Sequence, residues 1–141
     1  MKPKGLSKDS GWMVGARRTF PVPVEAAWKL VLSGEGMRAW LGDLPGFKLA
    51  KGAEFRQPDG THGRVTVFIP GSHLRLTWRA NDYPRPSIIQ VRVIPTGENT
   101  VIAFHQEHLP DKAARDERGE HFRRELDSLS ELFGHYKKTK S

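Results

Sequence analysis

The side chains best able to bind a metal or move a proton in this chain of 141 residues are six histidines, at positions 62, 73, 105, 108, 121 and 135. His105-Gln106-Glu107-His108 has a ligand-like spacing, but the residues before it, Val101-Ile102-Ala103-Phe104, alternate like a strand. On a strand, positions i and i+3 face opposite ways, so the two rings diverge. A catalytic zinc needs three converging protein ligands, and none of the other histidines is in sequence reach. No metal and no other cofactor is expected. With no cysteine in the chain, thiol nucleophiles, disulfides and cysteine zinc sites are excluded. A Gly-x-Ser-x-Gly elbow and a glycine-rich phosphate loop are also missing. Ser33, Ser72 and Ser87, like Asp43, Asp59 and Asp82, fall in turns or at strand edges. No catalytic set emerges, and the residues read as a binding protein before an enzyme.

Two other groupings carry chemistry of a milder kind. Trp28, Met37, Trp40, Phe55, Trp78, Ile89, Val91, Phe104, Phe122, Leu126 and Leu129 all fall on inward positions of the elements that the periodicity implies. They would wall an apolar pocket of about 300–1,000 Å³, the usual size for a small ligand. Gln57, Gln106 and His121 are the polar residues near that wall, and a buried amide or imidazole must find a partner. Gln106 is the residue expected to orient a ligand. His121 stands four residues before Glu125, a spacing that favours a surface ion pair. The second grouping is basic. Arg64, Arg75, Arg79 and Arg92, with Arg85 nearby, fall on outward strand positions and would suit phosphates or an acidic partner surface. Aromatic side chains do not interleave with them, so the stacking platform of a single-strand nucleic-acid binder is missing.

The elements that would hold these residues follow from the pattern. Met13 to Phe20, bounded by Gly11, Pro21 and Pro23, suits a first strand. Val24, Ala27, Trp28 and Val31 form one helical face, and Gly34 is free to take a left-handed cap at its end. Glu35 to Leu41 reads as a second short helix. From Lys51 to Glu107 the period drops to two. Ala53, Phe55 and Gln57 share a face; Val65, Val67 and Ile69 alternate with Arg64, Thr66 and Phe68. Leu74, Leu76 and Trp78 follow, then Ile89, Val91 and Val93, then Ile102, Phe104 and Gln106. Turns at Pro58-Asp59-Gly60, Pro70-Gly71 and Pro95 to Asn99 join these runs, which implies an antiparallel meander. Asp111 caps a final helix, along which Phe122, Leu126, Leu129, Phe133 and Tyr136 form a stripe. From Gly119 to Tyr136 that helix is about 27 Å long at 1.5 Å per residue. Gly119 is expected to mark a kink or the start of its packed part.

A formal charge of +7 raises the question of nucleic acid. Residues 1–12 hold three Lys and one Asp, and residues 135–141 hold Lys137, Lys138 and Lys140, so the excess sits at the ends. The expected organisation is a basic flexible tail over 1–12, a single domain over 13–134, and a second basic flexible tail over 135–141. A body nearly balanced in charge argues against specific nucleic-acid binding. No apolar run approaches the roughly 20 residues of a membrane span. The first residues are basic without an apolar stretch behind them, so no secretory signal is expected and the expected address is cytoplasmic.

Strand, two short helices, about five antiparallel strands and a long amphipathic helix make an α+β fold. Burying one sheet face and one helix stripe together requires the sheet to curl around the helix, with a cavity expected between them. Phe20-Pro21-Val22-Pro23-Val24-Glu25-Ala26-Ala27-Trp28, followed by Trp40-Leu41, resembles the opening of the START-like helix-grip (SRPBCC) superfamily. More narrowly it is similar to homologues of the activator of the heat-shock protein 90 ATPase. Gly52 to Phe55, Gly63-Arg64-Val65, Pro70 leading to Leu74 through Trp78, Thr100 to Phe104 and the Phe122, Leu126, Leu129 helix add to that resemblance, over roughly residues 13–134. Where such families often carry an inward His at the end of the Thr100 strand, this chain has Gln106. The resemblance implies a helix-grip fold and binding of a small hydrophobic molecule between sheet and terminal helix. It also implies, as an alternative, a chaperone-linked interaction in which the arginine face meets an acidic protein. A cyclase/aromatase-type enzyme ranks third.

Overall fold

Pro21 and Pro23 end the first long strand, because proline cannot donate to a ladder. Pro23, extended at φ −70°, then caps the first helix. The computed structural model describes the backbone of residues 6–7 and 11–140 and the side chains of residues 11–134. Its elements are β1 (Leu6–Ser7), β2 (Gly11–Phe20), α1 (Val24–Leu32), α2 (Gly34–Trp40), β3 (Glu54–Arg56), β4 (His62–Ile69), β5 (His73–Arg79), β6 (Ser87–Thr96), β7 (Asn99–Leu109) and α3 (Lys112–Lys140). One antiparallel sheet runs in the order β1-β2-β7-β6-β5-β4-β3. It curves without closing, and α3 lies along its inner side against β2 and β7, with α1 and α2 packed at its flank. This is the helix-grip arrangement.

The sheet contributes Val65, Leu74, Leu76, Ile89, Val91, Ile102 and Phe104 to the core, and α3 contributes Phe122, Leu126, Leu129 and Phe133. Asp111 caps α3 as its sequence position implies, its Oδ1 accepting from Ala114 N at 2.8 Å. At the two ends the backbone pairing and helix extend into the segments expected as tails. Gly11 and Trp12 belong to β2, Leu6 and Ser7 pair with Trp12 and Gly11, and α3 continues through Lys140. The remaining tail residues, 1–5, 8–10 and 141, lie outside the described residues.

Strict alternation fails on β4. A bulge between Val65 and Val67 inserts an extra residue and reverses the phase beyond it. Val65 therefore stays buried opposite Leu76, but Phe68, opposite Leu74, turns toward the core in place of Val67, and Ile69 is left 48% exposed. A second register shift on β2 lies between Trp12 and Val14, near His108, which takes a left-handed φ of 63° on β7.

Two glycines set the helix positions. Gly34 does not take the left-handed cap; the α1–α2 corner is made instead by Ser33, which ends α1 and whose hydroxyl accepts from Gly36 N at 3.0 Å. Gly36 is needed because a Cβ there would lie 2.0 Å from the Leu30 carbonyl oxygen. Gly119 has a similar reason: its missing Cβ lets α3 approach β2 where Val14 Cγ2 would sit 3.0 Å away, and α3 runs unbroken past it.

Helix propensity alone would make Ala better than Gly by about 1 kcal/mol at either position. At Gly36 the clash is with backbone and overpacking costs about 1–3 kcal/mol or more, so Gly36→Ala is expected to lower the unfolding free energy by about 2 kcal/mol. Gly34 has open space and an ordinary φ, so Gly34→Ala is expected to raise it by about 0.4–1 kcal/mol. Urea unfolding of the two variants checks the opposite signs.

Candidate functional site

A charged side chain sits where the sequence pattern places only core. Continuing the α3 stripe of Phe122 back by four residues reaches Arg118, which is only 6% exposed. Its guanidinium carbon lies 4.1 Å from the centre of the Trp78 ring and 5.0 Å from that of Phe122. Nε donates to Gln106 Oε1 at 2.8 Å, Gln106 Nε2 donates to Ser87 Oγ at 2.8 Å, and Ser87 Oγ donates to the Trp78 carbonyl at 2.6 Å. A buried polar chain thus links α3 to β7, β6 and β5. Register explains its lower half: Trp78 pairs with Ser87, and Ile89 with Gln106, so these inward side chains fall on neighbouring strands.

The apolar wall continues from there. Phe122 stacks on Phe104 at 5.1 Å and 9°, and Phe104 meets Trp40 at 5.7 Å. Trp40 Nε1 donates to the Val31 carbonyl and Trp40 O accepts from His121 Nε2 at 2.9 Å, which ties α1, α2 and α3 together. The expected ion pair between His121 and Glu125 is not formed; the imidazole faces inward instead. Burial, and then the Arg118 charge, push its pKa down to about 4.

Of the twelve residues assigned to the pocket wall, Trp40, Trp78, Ile89, Val91, Phe104, Gln106 and Phe122 come together around this polar chain. Leu126 and Leu129 continue the wall along α3, both buried. Phe55 is buried against Phe47, with ring centres 6.0 Å apart. Met37 is half-buried, and Trp28 pairs with Phe68, which lies beyond the bulge of β4. The middle of the grip is filled: Trp40, Phe104, Phe122, Ile89 and Gln106 have at most 1% exposure, which leaves no water-sized void against them. Around these five residues the space expected for a cavity is taken up by the aromatic stack and by Arg118, a long side chain that a hydrophobic pattern does not register. Recesses of ligand size lie at the surface. One of about 390 Å³ is lined by Trp12, Pro84, Arg85, Pro86, His108 and Leu109, at the sheet end where the loop from β5 to β6 meets the end of β7.

That loop carries Tyr83, 7% exposed, whose ring meets Trp78 edge-on at 5.6 Å. Burial pushes the Tyr83 hydroxyl up to about 12, so it stays protonated at neutral pH. Arg79, expected on the partner face, is used here: Nε donates to Tyr83 O at 2.9 Å and Nη2 to Pro84 O at 3.3 Å. The other three arginines of that face remain outward. Register lines up His73, Arg92, Ala103 and Arg17 across four strands, with Arg75 beside Gln90 in the next row and Arg64 opposite Thr77. Burial, then Arg92 and Arg75, hold His73 below its ordinary range. Among the described residues no three His, Asp or Glu side chains gather as metal ligands.

The comparisons with known proteins agree with this fold. The family model for activator of Hsp90 ATPase homolog 1-like proteins matches residues 21–134. No curated protein sequence is similar enough to match. CalU16 from Micromonospora echinospora is 19% identical, with a TM-score of 0.74 over 87% of this chain and 76% of its own. Protein MLL2253 from Mesorhizobium loti is 22% identical, with a TM-score of 0.73 over 87% of this chain and 97% of its own. PFC0360w, an HSP90 activator from Plasmodium falciparum, is 20% identical, with a TM-score of 0.59 over 71% of this chain and 75% of its own. At these identities the likeness is one of fold.

His121 makes the network sensitive to acid. Its folded pKa near 4 lies below the ordinary value of 6.5. The unfolded chain therefore binds the proton first, and stability is lost as pH falls from about 6.5 to about 4. After allowance for solvent screening of a half-buried ring, the loss is expected to be about 1–2 kcal/mol. His121→Gln, which keeps a donor for the Trp40 carbonyl, should flatten that part of the stability–pH curve measured by urea unfolding.

Proposed function

This chain belongs to the family of activator of Hsp90 ATPase homolog 1-like proteins, and we propose that within it the chain acts as a binding module for a small, largely apolar molecule. The ligand lodges between the sheet and α3, at the end of the aromatic stack where Trp78, Tyr83 and Phe122 surround Arg118. The observation that carries this reading is the Ser87–Gln106–Arg118 chain. Apolar residues of similar volume are often as stable as a buried charged network or more so, so a network retained at the centre of an apolar interior fits a site better than a plain core. Because the interior is filled, binding requires the Tyr83 loop to swing outward and uncover Trp78. The short loop from Ala80 to Pro86 joins two neighbouring strands, so opening it breaks the bonds from Arg79 to Tyr83 O and Pro84 O and leaves the sheet intact.

A second reading rests on a different surface. The His73, Arg92 and Arg17 row, with Arg75 and Arg64, has no carboxylate ion-paired to it among the described residues. Such a face suits an acidic protein, and the fold likeness to an HSP90 activator makes a chaperone the partner to try. Binding through exposed charge weakens with salt. Arg75→Glu with Arg92→Glu is expected to abolish a salt-sensitive pull-down of the chaperone without changing the melting temperature; retained pull-down excludes this face.

For the small-molecule reading, native mass spectrometry of the purified protein and a thermal-shift screen with fatty acids, sterols and aromatic polyketides are the direct measurements. A ligand present at a hundred times its Kd adds about 2.7 kcal/mol, which corresponds to a shift of roughly 5–10 °C for a domain of this size. The expected result is a shift of that order for at least one class, reduced by Trp78→Ala. No bound mass and no shift would overturn the reading.

A further inference from the structure

The groups in contact with Trp78 are rich in donors; the carboxylates of Glu117, Asp82 and Asp111 act on Arg118 or Tyr83 through space without hydrogen-bonding either. Arg118 uses Nε on Gln106; its two terminal nitrogens bond no acceptor among the described residues and are not enclosed as Trp78 Nε1 is, so they lie at the open side of the site, and no carboxylate forms an ion pair with the guanidinium. Trp78 is 9% exposed, and its Nε1 is fully enclosed and unpartnered. The Tyr83 hydroxyl has no bonding partner among the described residues either. The acceptors nearby are already in use: Gln106 Oε1 by Arg118, Ser87 Oγ by Gln106, and the Trp78 carbonyl by Ser87. A buried cation without an anion is costly. Two aromatic faces and one charge-assisted hydrogen bond offset part of that cost.

We propose that Arg118 is the selector for a monoanionic head group, and that the ligand of this site is a small monocarboxylate with a flat apolar body. This inference rests on the small-molecule reading above and names the class of ligand. A carboxylate is acceptor-only and can take two parallel N–H bonds from a guanidinium, which suits the two terminal nitrogens of Arg118 that Gln106 leaves to the open side of the site. One cation balances one negative charge, so a monoanion fits and a phosphate dianion leaves a charge uncompensated. Trp78 and Tyr83, which meet edge-on, supply the aromatic surface for the body. Charge also explains why Gln106 serves here. It accepts from Arg118 without neutralising it, whereas a Glu at the same position would pair with the guanidinium and occupy the head-group place itself.

Isothermal titration of the full chain with matched probes tests this. The probes are 2-naphthoate, its neutral counterpart 2-naphthalenemethanol, and 2-naphthyl phosphate. The expected result is 2-naphthoate binding at least tenfold more tightly than the alcohol and more tightly than the phosphate. Arg118→Gln should bring acid and alcohol to within about twofold of each other. Equal affinity of the wild-type protein for acid and alcohol overturns the carboxylate assignment while leaving the small-molecule reading in place. Tighter binding of the phosphate overturns the monoanion assignment. No binding of any probe, the alcohol included, overturns both. The wild-type ratio decides the question by itself if Arg118→Gln fails to fold.

Discussion

The structure depends on how α3 is held in the grip of the sheet, and that hold is centred on one buried guanidinium. Arg118 lies between the rings of Trp78 and Phe122 and bonds Gln106, so a single side chain joins the helix to two strands, β5 and β7. The rest of the interior is arranged around this contact. Phe122 continues into Phe104 and Trp40, and Trp40 in turn bonds α1 through Val31 and α3 through His121. A column that alternates charge, ring and hydrogen bond is more exacting than an apolar core, because each polar atom in it must keep its partner or lose the free energy of desolvation.

Two kinds of local irregularity make that column possible. The bulges on β4 and β2 turn the sheet and reset which residues face inward, so that Phe68 and Trp28 pack at a distance from the polar chain. Glycines remove side chains where backbones meet. Gly36 lets α2 cross the end of α1, and Gly63 leaves room for the Phe55 ring and for the Thr77 carbonyl. These are conditions of close packing and not of flexibility.

Much of the architecture was legible in the residues. Element order, the cap at Asp111, the buried stripe of α3 and most inward strand positions follow from period and turn chemistry. The arginine face was legible too, apart from Arg79, which the loop recruits. The phase beyond the bulge on β4 was not, since one inserted residue leaves no mark in composition. The filled interior was also hidden. A hydrophobic pattern records where apolar side chains face, and it does not record a long cation inserted among them.

Sequence by itself determined an α+β helix-grip chain with one apolar face per element and its excess charge at the ends, because periodicity and proline or glycine punctuation are local. Only the tertiary structure decided that Arg118, four residues before Phe122, is buried. It also decided that His121 turns inward to Trp40 and that Ser87, Gln106 and Trp78 meet it. The reason is distance along the chain: these contacts join residues on separate strands and helices, so their energy exists only once the sheet has closed on the helix.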